Sequence, residues 1–237
     1  MTQATHTAAL ALALASMVML GCIGSARADD GAVPVNEVRL GAYIVHYATK
    51  ADDLSGPFTP AGINIRVGSV TTPYLAYLRS LDGNWSVELA GGVPPTTKTY
   101  GKGPATVGSV PFDGQLVATA KWFSPSVLLD YKFLDATSPL RPYVGVGVNY
   151  TRFYDLISTA AGDATNGGPT RVTLSRSIGP AATLGASYRI TREINVLASY
   201  NLARVNSNYR SDTAGVVRTT TIHFNPRLWV LAVGYAF

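Results

Sequence analysis

Residues 143–153 read YVGVGVNYTRF. Val144, Val146, Val148 and Tyr150 fall on one side of this run, and Gly145, Gly147, Asn149 and Thr151 on the other. A period of two marks a β-strand with one apolar face, because successive side chains point to opposite sides of the backbone. The opposing face carries small and neutral polar groups in place of the charges that a solvated sheet surface favours. That composition suits a narrow interior.

The same pattern recurs outward from this stretch. In residues 178–190, Ile178, Pro180, Ala182, Leu184, Ala186, Tyr188 and Ile190 oppose Gly179, Thr183, Gly185, Ser187 and Arg189. In 194–202, Ile194, Val196, Ala198, Tyr200 and Leu202 oppose Asn195, Leu197, Ser199 and Asn201. The last run alternates Trp229, Leu231, Val233, Tyr235 and Phe237 with Val230, Ala232, Gly234 and Ala236. Tyr and Trp gather near the run ends (Trp85, Tyr150, Tyr188, Tyr200, Trp229), as an interfacial aromatic girdle requires. A soluble β-sandwich also alternates, but the small-residue face, the girdle and the terminal strand aromatic Phe237 together favour a membrane barrel.

Eight strands are expected, near 38–48, 65–80, 85–93, 115–133, 141–153, 172–190, 194–206 and 218–237. Short connections at 82–84, 135–140 and 191–193 alternate with long ones at 49–64, 94–114, 154–171 and 207–217. The expected fold is all-β, an eight-stranded antiparallel transmembrane β-barrel with short turns and both termini in the periplasm and long loops outside. An open sheet edge is not tolerated in a bilayer, so the sheet must close.

The first 28 residues contain an apolar stretch from Ala8 to Leu20 and end in Ala26-Arg27-Ala28, which reads as a secretory signal peptide. A rival cut before Cys22 has a lipoprotein-like flavour, which Met19 and Leu20 fit poorly. The barrel is then expected over residues 29–237. That portion holds no Cys and no Met, so disulfides and Cys-type metal sites are excluded there. It carries 18 Lys and Arg against 14 Asp and Glu, a mild basic excess suited to anionic lipid and lipopolysaccharide phosphates. Export makes nucleic acid an improbable partner.

At this point the chain resembles the OmpW/AlkL family of outer-membrane proteins. The resemblance rests on Arg141-Pro142-Tyr143-Val144-Gly145-Val146-Gly147-Val148-Asn149-Tyr150-Thr151 with Phe153, matching that family's fifth strand. Val87-Glu88-Leu89-Ala90, Ser124-Pro125-Ser126 and Gly234-Tyr235-Ala236-Phe237 agree with it. The resemblance implies location in a Gram-negative outer membrane and passive uptake of small hydrophobic molecules, with sideways exit through the wall.

The residues suggest a path of their own. Glu88, Asp130, Lys132 and Arg189 are expected to point inward near the periplasmic end, with Arg39 and Arg79 beside them, as a charge plug. Continuing the last strand's alternation turns Ile222, Phe224 and Leu228 inward as an apolar upper lumen, unless Pro226 brings a bulge that flips them. Lys98, Lys102, Arg152, Arg171, Arg176, Arg204 and Arg210 fall toward the outer side, where solvated loop charge and contact with lipopolysaccharide phosphates are both open readings. No catalytic site, cofactor or metal is expected: His46 and His223 with Ser69, Ser211 or Asp212 show no spacing that selects a nucleophile and base. Phe237 is expected to be read by the barrel-assembly machinery. The competing reading is a structural or surface-binding barrel, adhesin-like, without transport.

Overall fold

Every backbone N–H and C=O in a bilayer needs a partner inside the protein, so alternating runs of this kind pair edge to edge until the sheet closes. The computed structural model describes residues 34–59, 62–107 and 109–237. Eight antiparallel strands close on themselves: β1 (Asn36–Tyr47), β2 (Val70–Ser80), β3 (Trp85–Gly92), β4 (Ser126–Lys132), β5 (Leu140–Ser158), β6 (Ser177–Arg189), β7 (Ile194–Ala203) and β8 (Pro226–Ala236). Each pairs with its neighbour in the chain, β1 pairs with β8, and β4 pairs with β5 to complete the ring. The signal-peptide reading of residues 1–28 lies outside the described residues.

The lipid-facing band follows the sequence alternation. Val146, Ile178, Leu184, Leu231 and Val233 are exposed, while their neighbours Asn149, Thr183, Leu197, Val230 and Ala232 are buried inside the ring. Aromatics edge both ends of the band. Trp85 meets Tyr131 at 4.9 Å and Tyr131 meets Phe133 at 5.2 Å beside the short turns, and Tyr200 meets Trp229 at 4.7 Å toward the other end. The ladder is oblique. Stepping across paired residues from Ile44 through Trp229, Tyr200, Leu184, Val144 and Tyr131 leads down to Trp85 at a short turn. The strands are therefore tilted, as closure requires.

Beyond this ring the wall continues in two parts, one hydrogen-bonded into the ring's own sheet through β5 and one a separate four-stranded sheet; the expected strands 65–80, 115–133, 172–190 and 218–237 are each interrupted, and the expected long connections 94–114 and 207–217 are partly strand. One holds the outer part of β5 with Leu116–Phe123, Thr96–Lys102 and Asn64–Val67; the other holds Thr170–Leu174, Asn206–Thr213, Val216–His223 and Lys50–Ala51. Residues 207–217 are mostly a hairpin rather than a loop. It turns on Ala214 (φ 50°) and Gly215 (φ 88°), two left-handed residues that match the strands' twist. Its first strand, NSNYRSDT, has no apolar face, so alternation could not reveal it. Residues 154–171 contain the end of β5 and a short helix α1 (Ala160–Asn166), capped by the Thr159 hydroxyl and ended by Gly167 at φ 86°.

Candidate functional site

Inside the ring the inward side chains divide into two kinds. Toward the short turns they are charged and interlocked. Arg39, 1% exposed, donates from Nε to Glu37 Oε1 at 2.6 Å and from Nη1 to Glu88 Oε2 at 2.5 Å. The Tyr74 hydroxyl donates to Glu88 Oε1 at 2.7 Å, Lys132 Nζ lies 3.9 Å from Glu37 Oε2, and the guanidinium sits 5.7 Å from the Tyr143 ring centre. Asp130 is fully buried in the same layer. Charge buried in a narrow lumen persists when paired and hydrogen-bonded, as Arg39 is with Glu37 and Glu88, whereas both Asp130 carboxylate oxygens and Arg39 Nη2 are buried without a hydrogen bond.

Glycines supply the room for these groups. A Cβ at Gly145 would lie 1.9 Å from Asp130 Oδ1, one at Gly185 would lie 2.6 Å from the Tyr143 ring, and one at Gly234 would lie 2.5 Å from Glu37 Oε1. The small residues on the inward face thus complement large ones on neighbouring strands.

Above the charged floor a polar shelf crosses β4 and β5. Asn149 Nδ2 donates to Ser124 Oγ at 2.9 Å and Ser126 Oγ at 3.0 Å, and Thr151 Oγ1 donates to Asn149 Oδ1 at 2.8 Å. Over it opens a cavity of about 760 Å³, counting space open at its mouth, walled by Tyr43, Val45, Trp122, Val205, Leu228 and Val230 among others. A second cavity of about 990 Å³ on the same measure lies beyond, walled by Ile63, Ile65, Phe112, Leu156, Leu174 and Ile222 among others. Phe153 and Phe224 border both. Their rings stack at 4.9 Å and 30°, and Tyr47 meets Phe224 edge-on at 6.3 Å. The stack forms a partition between two apolar chambers.

The wall of the lower chamber has a break. β3 and β4 pair from Trp85↔Tyr131 to Ala90↔Ser126, and pairing between the two continuations resumes only at Thr96↔Lys121. The interval holds Pro94, Pro95 and Pro125, which have no N–H to give a ladder. Gly91, Ser124 and Ser126 at this break line the lower chamber.

Against the expectations from sequence, Arg39, Glu88, Asp130 and Lys132 lie together in the floor, while Arg189 and Arg79 do not. The Arg189 guanidinium donates to the carbonyls of Ala136, Thr137 and Ser138, bracing a short turn at the rim. Arg79 is exposed on the outward face, because its neighbour Leu78 takes the inward position. Glu37, which the sequence reading left out, is an acid at the centre of the layer; its position two residues before Arg39 on one strand face was the available signal. Ile222, Phe224 and Leu228 all take interior positions but do not line one space. Ile222 walls the outer chamber, Leu228 the inner, and Phe224 stands between. Pro226 opens β8 with the alternation of burial intact across residues 222–232. His46 Nδ1 is 3.0 Å from Ser69 Oγ and His223 Nδ1 is 2.8 Å from Asn206 Oδ1, whereas Ser211 and Asp212 stand on the outer hairpin opposite Arg218 and Val217.

Comparison with known proteins gives a consistent result. The sequence model described as the OmpW family matches residues 37–237. The chain is 31% identical over 121 residues to outer membrane protein W of Vibrio cholerae, an alignment covering 51% of this chain and 55% of that one. It is 38% identical over 77 residues, 32% of each chain, to the dibenzothiophene metabolism operon protein PahQ of Pseudomonas aeruginosa. In these alignments the chain spans about half or less of the length of the curated relatives it matches. The crystal structure of outer membrane protein OprG from Pseudomonas aeruginosa superimposes with a TM-score of 0.77 at 23% identity, covering 86% of this chain and 96% of that one.

Proposed function

The chain belongs to the OmpW family of outer-membrane β-barrels, and on that premise we propose that it is a channel for passive uptake of small hydrophobic molecules. The observation that carries this reading is the pair of apolar chambers stacked above a floor filled by hydrogen-bonded charge. An apolar solute entering from the outer end gains the transfer free energy of leaving water, roughly 25 cal/mol per Å² of apolar surface. It would lose that gain at the floor, where no apolar surface continues. The ring is too narrow for an open aqueous pore. Entry with no way down calls for a way out through the wall.

The break between β3 and β4 is the exit in this reading. It opens from the lower chamber at lipid-facing positions, so the solute would pass from chamber to bilayer without crossing water. Gly91 and Pro125 face one another across it, a Cβ built at Gly91 lying 3.9 Å from Pro125 Cα. The relative PahQ, by its name, belongs to a dibenzothiophene operon, and a fused aromatic thioether is the kind of solute these chambers would suit.

The test uses a disulfide across that break. Because residues 29–237 contain no cysteine, Gly91→Cys with Pro125→Cys gives a single defined cross-link. Uptake of a fused aromatic hydrocarbon by cells is expected to fall roughly tenfold when the pair is oxidised and to recover on reduction, since a disulfide fixes two Cα atoms at about 5.5–6 Å. Unchanged uptake with the cross-link formed rules out exit at this break. Uptake no faster than in cells without the protein rules out the channel and leaves a structural or surface-binding barrel.

A further inference from the structure

The outward face of the barrel carries a second feature that the uptake reading does not use. Arg152 on β5, Arg176 just before β6, Arg204 just after β7 and Arg227 on β8 are all exposed. These strands are consecutive neighbours in the ring. Thr151↔Ser177 is the last pair between β5 and β6, so Arg152 and Arg176 stand side by side one step beyond it. Leu202↔Arg227 is the last pair between β7 and β8, so Arg204 stands two residues past Arg227's partner. Among the described residues, the side chains of these four arginines enter no ion pair.

Their position fixes what could neutralise them. Tyr200 and Trp229, in contact with their rings tilted by 46°, lie on the same outward face, two residues short of Leu202 and two residues inside Arg227. Interfacial aromatics mark the edge of the hydrocarbon band, so the arginines stand just outside it, at the depth of the lipid head groups. Arg152 and Arg176, opposed on adjacent strands about 4.7–4.9 Å apart, repel one another unless an anion lies between them, while Arg204 is opposite Pro180, four residues along β6 from Arg176. Among the described residues no carboxylate pairs with these arginines, and Ile178, 72% exposed beside Arg176, offers apolar contact for an acyl chain below. Guanidinium groups bind phosphate through paired N–H donors.

We propose that Arg152, Arg176, Arg204 and Arg227 form a docking belt for the phosphorylated sugar head of lipopolysaccharide in the outer leaflet. The belt covers the half of the barrel away from the β3–β4 break, so a tightly held glycolipid there leaves the break free.

The experiment takes the folded full-length barrel in neutral detergent and measures binding of bisphosphorylated lipid A, dephosphorylated lipid A and phosphatidylglycerol by native mass spectrometry. Bisphosphorylated lipid A is expected to bind roughly tenfold or more tightly than either of the others. The Arg152→Gln, Arg176→Gln, Arg204→Gln and Arg227→Gln quadruple variant is expected to lose that preference, whereas Arg79→Gln with Arg192→Gln keeps it. Equal binding of the two lipid A forms by the parent overturns the proposal, and so does phosphatidylglycerol binding as tightly as lipid A. A folded quadruple variant with its preference intact overturns it too. Should the quadruple variant fail to fold, Arg152→Gln and Arg176→Gln singly carry the same comparison. Uptake of an apolar tracer is expected to be unchanged in all of them, which separates this proposal from the channel reading.

Discussion

The two halves of the lumen share one alternation of inward and outward side chains, yet they are built to opposite ends. In the lower half inward positions hold Glu37, Arg39, Glu88, Asp130 and Lys132, with Tyr74 and Tyr143 packed about them. In the upper half they hold Val45, Val205, Ile222, Phe224 and Leu228 around open space. The contrast teaches that closure of the wall and the contents of the lumen are separate problems. The wall satisfies its backbone whatever points inward, so one half of the interior is free to be a filled core and the other a cavity.

The sharpest way to break this comparison is to attack the floor. Arg39→Met removes one partner from a buried network and leaves Glu37 and Glu88 facing each other. It is expected to cost about 3–5 kcal/mol, read as a lower urea midpoint for the folded barrel in detergent. Adding Glu37→Gln and Glu88→Gln is expected to recover most of that loss, because the uncompensated charge is then gone. A single Arg39→Met with parental stability would mean that the floor is solvated and not a core.

The matching substitution above is expected to leave the ring closed, at some cost in stability, and to slow transport. Phe224→Asp places a carboxylate between the chambers, where desolvating it costs several kcal/mol, and uptake of the apolar tracer is expected to fall roughly tenfold. Heat-modifiable gel mobility checks that the barrel still forms. A smaller effect sharpens the division between chambers: Phe153→Ala opens the partition and is expected to raise uptake of bulky tracers about twofold while leaving small ones alone, a steric gain without new polar cost. Tracer-size independence would remove the partition from the path.

The smallest effect concerns the short turns beneath the floor. Asp82 accepts from the backbone N–H groups of Asn84 and Trp85, both at 2.7 Å, and these bonds hold its carboxyl below the ordinary value. A lowered folded-state value means stability that is present above the unfolded carboxylate range and lost as pH falls through the folded value. Asp82→Ala is therefore expected to lower stability slightly at neutral pH and to narrow the gap from the parent in acid. A gap that is constant with pH would assign the effect to backbone propensity alone.

Much of this molecule was legible without coordinates. The alternation in residues 143–153, 178–190, 194–202 and 229–237 named the lipid face and the lumen face residue by residue, because a strand offers only two directions. Asp82-Gly83-Asn84 and Thr191-Arg192-Glu193 marked two of the short turns, whose polar and flexible residues interrupt the pattern. What alternation cannot give is height. It places Arg39, Glu88 and Arg189 on the inward face alike, but only the tilt of the closed sheet decides which inward residues from different strands reach the same level. That tilt sets Arg39 against Glu88, forty-nine residues apart, and leaves Arg189 at the rim with the turn carbonyls. It likewise brings Phe153 onto Phe224 and divides the upper wall into two parts. The sequence by itself determined the faces, through the two-residue period of an extended chain; the levels, the pairings and the chambers came only from closing the ring.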